Sequence, residues 1–396
     1  MPRLKTLLLG LIALLATTAV MIAALVWLET PKDREAALAR IDRMATRMTE
    51  AGHWPAVSLA AVAPGEVIWL KSYGMADIAT DRAMTPTTPM PIGSISKVLI
   101  GMTAASLAAQ DAFDLDAPLQ AHWPQAPDAL SGVTFRHLAT HTGGLRDLDA
   151  VYEDHAYHQG ALRHPTPLAD FLNQTLLPDG PLYDADTFAG TEPGTEVVYS
   201  NMGAALAAAQ LARATGTDFA ALSDTHALQP LGLTRATWDA TTLPPNTRAT
   251  LYEDDGTGTF TALAPYALAT WPDGGLNATA QDLATLLATA MGGGRLGDTQ
   301  RIAPEVITLQ QAPALPASRG ADADGLFWQR GDISFLIWSF SLEGHSGGDP
   351  GVITFMYRVR GTDRGFVLML NGLRDSTWSE IQIARLATAL ANLPEA

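Results

Sequence analysis

Cysteine is absent from this 396-residue chain. That omission removes disulfides, thiol catalysis, thiolate metal sites and the Cys-linked lipid of a lipoprotein. Clusters of Lys and Arg are missing too. With 25 basic residues against 41 acidic ones and a net charge of −16, the chain has no basic footprint for a phosphate backbone, so nucleic acid is excluded as a partner. Charge of either sign is scarce, at 17% against 47% hydrophobic residues, which excludes a disordered polymer. What remains is a globular protein, long enough for one large domain or two ordinary ones. No internal repeat or low-complexity tract interrupts it.

Charge is also missing between Leu7 and Leu28, behind Arg3 and Lys5. As a helix that run reaches about 33 Å, close to the roughly 30 Å hydrocarbon thickness of a bilayer. Signal-peptide cores are shorter and end in a small-x-small site, for which Thr17-Thr18-Ala19 is a weak match. Trp27 suits the far interface. Residues 1–30 are therefore expected to form an uncleaved membrane anchor, with a cleaved signal as the alternative. Positive charge keeps the short N-terminal side cytoplasmic, so residues 31–396 are expected outside: periplasmic if anchored, secreted if cleaved.

Periodicity predicts an amphipathic helix over Ala36–Met48, then strands Val57–Ala63 and Val67–Ser72 around Pro64-Gly65-Glu66. From Ser94 to about Ala220 the pattern is helical and Ala-rich. Thr261–Gly275 reads as loop, and Thr279–Met291 as a helix stopped by three glycines. Strand-like runs return at Ile333–Phe340, Val352–Val359 and Gly365–Leu370, before a last helix from about Trp378. Strands at both ends with helices between predict an α/β (α+β) fold: one antiparallel sheet built from the two termini, with a helical insertion over about 96–260.

Three segments carry candidate chemistry. In Ser94-Ile95-Ser96-Lys97 the residues Ile95, Val98, Leu99 and Met102 form an apolar helical stripe, which puts Ser94, Lys97 and Gly101 together on another face. A serine hydroxyl is a poor nucleophile until a neighbouring amine takes its proton, and a helix N-terminus favours the charge that develops. The plain alternative is an N-cap serine followed by a solvated lysine. Tyr199-Ser200-Asn201 precedes a helix from Gly203 to Ala214, where Ser200 or Asn201 serves equally well as a cap. Gly344-His345-Ser346-Gly347-Gly348 stands between two strand-like runs and reads, taken alone, as a glycine-rich turn.

Together the three resemble the S-x-x-K, Y-x-N and K-T-G triplet of the penicillin-recognising serine hydrolases: class C β-lactamases, D-alanyl-D-alanine peptidases and related esterases. Val133 to Leu145, Pro193-Gly194-Thr195, Pro230 to Leu233 and Gly274-Gly275-Leu276 are similar to further segments of that superfamily, in the same order. The resemblance implies a β-lactamase-like fold from about residue 35 onward, no cofactor and no metal, and a small-molecule or peptide-like substrate. It implies Ser94 as nucleophile, Lys97 and Tyr199 sharing the general base, Asn201 orienting substrate and Lys97, and an oxyanion hole from the N–H groups of Ser94 and Gly348. Glycines at 347 and 348 would let the strand approach the substrate.

His345 departs from the triplet, because it stands where the lysine of K-T-G would be. An imidazole with an ordinary pKa of about 6.5 is mostly neutral at pH 7. The expected reaction is therefore acyl-enzyme hydrolysis of an ester, amide or peptide bond lacking an obligatory carboxylate. A β-lactamase or D-alanyl-D-alanine carboxypeptidase is the alternative, and a non-catalytic penicillin-binding-like sensor is an alternative of another class. Asp349, next in line, reads as a surface turn residue, with recognition of a cationic substrate end as the sharper option. Gly344–Gly348 also fits the G-x-S-x-G nucleophile elbow, but no histidine follows His345, so that triad cannot be completed. His137 and His141 have zinc-like spacing without the intervening glutamate, and Asp154, His155, His158 and His164 have no regular metal spacing.

Overall fold

The computed structural model describes residues 33–315, 324–335 and 338–394. The uncharged run Leu7–Leu28 lies outside them; among the described residues, no helix is long and apolar enough to cross a membrane.

A seven-stranded antiparallel sheet organises the molecule. Its strands are β1 (Ala56–Ala63), β2 (Glu66–Asp77), β3 (Arg82–Ala83), β4 (Gln329–Phe335), β5 (Trp338–Asp349), β6 (Val352–Val359) and β7 (Gly365–Leu370), in the order β4-β5-β6-β7-β1-β2-β3. The N-terminal and C-terminal parts of the chain meet where β1 pairs with β7, from Val57 opposite Leu370 to Val62 opposite Gly365. One sheet built from both termini, as expected, is what forms.

All six residues of β7 are buried because both faces of the sheet are covered. Phe366, Leu368 and Leu370 face α1 (Arg34–Glu50) and α5 (Thr377–Ala391), packing with Ile41, Ala45, Leu386 and Leu390. Val367 and Met369 face the larger core, which includes Leu283, Leu286 and Leu287 of α4 (Ala280–Met291). Alternation along one strand thus divides its side chains between two cores.

Two expectations are corrected here. The single run predicted over Ile333–Phe340 is a hairpin, since β4 pairs with β5 from Gln329 opposite Gly344 to Phe335 opposite Trp338. Gly344–Gly348 is no turn: it lies inside β5, paired with β6 from Gly344 opposite Tyr357 to Gly348 opposite Ile353. Glycine there serves close passage of a strand rather than chain reversal.

The helix after Ser94, α2 (Ser96–Ala108), is buried from Ser96 through Leu107 rather than along a stripe. It runs through the middle of the helical layer. A Cβ on its Gly101 would lie 2.0 Å from the Leu326 carbonyl oxygen, so side-chain space is absent at that crossing.

Candidate active site

Ser94 sits in the tight turn Gly93–Ile95 that leads into α2. Gly93 takes φ +55°, in the region that glycine adopts without strain. The hydroxyl is not spent on capping: neither the turn nor α2 has a side-chain cap. The turn is held from two sides. Thr354 of β6 donates its hydroxyl to the Ile92 carbonyl at 2.8 Å. The Ile92 N–H donates to the Leu276 carbonyl at 3.0 Å, and the Leu276 N–H returns to Ser96 Oγ at 3.2 Å.

Lys97, in the first turn of α2, is fully buried. Its Nζ lies 2.9 Å from Ser94 Oγ, 2.7 Å from Asn201 Oδ1 and 2.7 Å from the Asp273 carbonyl oxygen. The last two partners can only accept. A neutral amine has two N–H bonds and one lone pair, so serving both acceptors leaves the lone pair for the Ser94 proton.

Asn201 begins α3 (Asn201–Thr215), with Ser200 as its N-cap, accepting from Gly203 N. The capping reading therefore holds for Ser200 and fails for Ser94. Asp147, not singled out from sequence, fixes this helix start. Its carboxylate accepts from the Asn201 N–H at 2.6 Å, the Met202 N–H at 3.0 Å and Ser200 Oγ at 2.9 Å. The anion sits at the positive end of the helix dipole.

Tyr199 stacks on the His141 ring at 4.2 Å between centroids, and Lys97 Nζ lies 5.2 Å from the Tyr199 ring centre. Among the described residues the Tyr199 hydroxyl has no hydrogen-bond partner, so the direct contact to Ser94 belongs to Lys97. His141 is buried, and its Nδ1 accepts the Ser200 N–H at 3.2 Å. His137, by contrast, accepts the Thr134 N–H and completes the cap of the helix Phe135–Ala139. The pair with zinc-like spacing thus does two separate structural jobs.

β5 closes the other side. A Cβ on Gly347 would lie 2.2 Å from the Ile92 oxygen and 3.0 Å from Ser94 N, whereas at Gly348 nothing lies within 4 Å. Only Gly347 is demanded by packing. The Gly348 N lies 3.0 Å from where a Cβ on Gly93 would be, so β5 passes directly beside the Ser94 turn. Ser346 is inside the same strand and not on a strand-to-helix turn, which leaves the elbow reading without its geometry. His345 is buried, and its Nδ1 lies 2.6 Å from the Ser346 carbonyl oxygen, which places the proton on Nδ1. Burial above all pushes its pKa down to about 3, so the ring is neutral.

A family profile described as Beta-lactamase matches residues 41–389. The chain belongs to the Beta-lactamase family. It is 27% identical over 199 residues to a beta-lactamase of Escherichia coli K12, covering 50% of this chain and 47% of that one. It is 30% identical over 177 residues to the esterase EstB of Burkholderia gladioli, 43% of each chain. To a D-aminopeptidase of Gluconobacter oxydans it is 29% identical over 182 residues, 46% of this chain and 32% of the relative. The chain thus spans less than half the length of these relatives. Among solved structures, a D-amino acid amidase from Ochrobactrum anthropi SV3 superposes with a TM-score of 0.65 at 20% identity, over 89% of this chain and 99% of the other. That likeness is one of fold: the β-lactamase/transpeptidase-like arrangement of antiparallel sheet and helices.

Two carboxyl groups of this Beta-lactamase family chain were not legible as site residues, or were legible only as surface. Asp273 is buried, with Tyr152 donating to Oδ2 at 2.9 Å; burial above all raises its pKa to about 7. The short turn Trp271–Asp273 lies in the stretch read as loop, so the sequence offered no sign that its carbonyl would meet Lys97. Asp349 ends β5, and its oxygens accept from Tyr157 at 2.5 Å and Tyr266 at 2.6 Å. Held by these two hydroxyls, it is not a free turn residue.

Proposed function

We propose that this chain is a serine hydrolase that cleaves an ester, amide or peptide bond through an acyl-enzyme on Ser94. The observation that carries it is the Lys97 amine, which meets Ser94 Oγ while Asn201 and the Asp273 carbonyl occupy its other directions. Ser94 Oγ attacks the carbonyl carbon as its proton passes to Lys97 Nζ. The oxyanion then lies between the N–H groups of Ser94 and Gly348. One such donor is worth about 10²–10³ in rate. As the tetrahedral intermediate collapses, the leaving group takes the proton back from Lys97, assisted by Tyr199, and the ester to Ser94 forms. Water then attacks the acyl carbon as its proton passes to the same amine, which returns it to Ser94 Oγ as the ester bond breaks and the acid departs. A sensor or scaffold has no need of a buried amine so placed.

The neutral, buried His345 supplies no fixed cation for a substrate carboxylate. Esters and neutral amides are therefore favoured over anionic β-lactams and peptide C-termini. The esterase and D-aminopeptidase similarities support this leaning; the beta-lactamase similarity keeps the second reading alive. A fluorophosphonate probe should label the purified protein at Ser94. Ser94→Ala should abolish labelling with little change in melting temperature. Label on Ser346, or label surviving in the variant, would overturn the assignment, as would strong preference for nitrocefin over p-nitrophenyl acetate for the substrate leaning.

The same proposal places the domain outside the membrane, periplasmic and tethered by Leu7–Leu28 behind Arg3 and Lys5. The protein should stay with membranes through a high-salt wash and keep its N-terminus. A mature N-terminus near residue 20 by mass spectrometry would replace tether by secretion.

A further inference from the structure

Acyl transfer to Ser94 makes no use of the carboxylate at the end of β5. Asp349 follows Gly348, so along the strand it stands about 3.3 Å beyond the proposed oxyanion donor. Its two oxygens are gripped by the hydroxyls of Tyr157 and Tyr266. These tyrosines come from a small two-stranded ladder, Tyr157–Gln159 with Tyr266–Leu268, and their rings are 5.6 Å apart. Tyr152, on Asp273, adds a third ring 5.8 Å from Tyr157.

Two phenol donors use two of about four lone-pair sites on a carboxylate. No ion pair involves Asp349 among the described residues. Burial outweighs the two hydrogen bonds and raises its pKa to about 6; Lys97, when protonated, acts in the opposite sense, and Glu153 adds a further anion. A partly desolvated anion with spare lone pairs, walled by aromatic rings, suits an ammonium group on both counts, hydrogen bonding and cation–π attraction.

The position also says which part of a substrate would arrive there. Tyr199 stacks on His141 and makes no contact with the ladder of Tyr157 and Tyr266 among the described residues. A leaving group protonated with the help of Tyr199 departs on that side, so a group met at Asp349, one residue past Gly348, belongs to the acyl part.

We propose that Asp349, with Tyr157 and Tyr266, forms an acyl-side subsite for a free amine close to the scissile carbonyl, selecting amino-acid esters and amides with an unblocked N-terminus. This rests on the reading of Ser94 as nucleophile. The test compares the p-nitroanilides of alanine, in both enantiomers, with their N-acetyl counterparts. Each pair shares its scissile bond and leaving group, so general damage to β5 cancels in the ratio. In the wild type kcat/KM should favour the free amine by about 10- to 100-fold, about 1.4–2.8 kcal/mol at 1.4 kcal/mol per decade. In Asp349→Asn the ratio should fall to about 1–3. A wild-type ratio near one, or one that Asp349→Asn leaves unchanged, overturns the subsite.

Recognition is also measured without turnover, as calorimetric binding of alaninamide and N-acetylalaninamide to Ser94→Ala. Preference for the free amine there, lost on adding Asp349→Asn, supports the subsite even if the wild type hydrolyses neither anilide; the hydrolase reading itself stands or falls separately, on probe labelling of Ser94. Equal binding of the two amides overturns it.

Discussion

Replacing Gly347 by alanine puts the proposed oxyanion hole under a defined strain. The new Cβ would stand 2.2 Å from the Ile92 oxygen, 2.4 Å from Thr354 Oγ1 and 3.0 Å from Ser94 N. Carbon prefers about 3.5–4.0 Å from such neighbours, so the contact with Ile92 must open by more than about 1 Å. Thr354 could rotate, but Ile92 is backbone, and its carbonyl is pinned by the Thr354 hydroxyl. The relief available is for β5 to move off the Ser94 turn, taking the Gly348 N–H with it. Overpacking of this kind costs about 1–3 kcal/mol of stability. Loss of one oxyanion donor costs about 2.7–4 kcal/mol of transition-state stabilisation, about 10²–10³ in rate. Gly347→Ala should thus melt a few degrees lower and lose at least about 10² in kcat/KM on p-nitrophenyl acetate, assayed well below its melting temperature. Gly348→Ala, with nothing within 4 Å of its Cβ, should melt as the wild type does. A Gly347→Ala enzyme within threefold of wild type and equally stable would refute the seating of β5 against Ser94.

Asp147→Asn sets an amide against the Asn201 N–H, in place of an acceptor 2.6 Å away. It should cost about 1–3 kcal/mol of stability and at least tenfold in kcat/KM by loosening Asn201; thermal melts and ester kinetics that match wild type would show the helix start holds without it. His345, whose folded pKa of about 3 lies below the unfolded value of about 6.5, contributes stability that is complete above pH 6.5 and lost as pH falls towards 3. His345→Gln should flatten the fall in melting temperature across that window, and an identical fall in both proteins counts against a buried neutral ring. Asp273, raised to about 7 chiefly by burial, acts in the opposite sense: it stays protonated in the fold while it ionises in the unfolded chain, so stability falls as pH rises from about 4 to 7. The His345 comparison therefore keeps Asp273 unchanged in both proteins.

Much of the fold was legible because its signals are local. Strand periods and glycine stops marked β1, β6, β7 and α4 to within a residue or two, since a covered face imposes its period on the chain wherever it is buried. Ser94, Lys97 and Asn201 could be named from spacing and family resemblance, and the structure brings them within hydrogen-bond reach of Lys97 Nζ. The neutrality of His345 was legible in direction from residue type alone.

Depth, register and partners were decided by the tertiary structure. Composition cannot say that α2 is surrounded on every side, nor that Gly344–Gly348 is threaded through the sheet, because α2 is closed over by chain as distant as Leu326, and Gly347 packs on Ile92 and Ser94, far from it in sequence. The Asp273 carbonyl meets Lys97 across 176 positions, and Asp349 meets Tyr157 across 192. No local pattern encodes such contacts: a backbone carbonyl is the same in every residue, and an aspartate before proline reads as a turn until the chain folds two tyrosines over it.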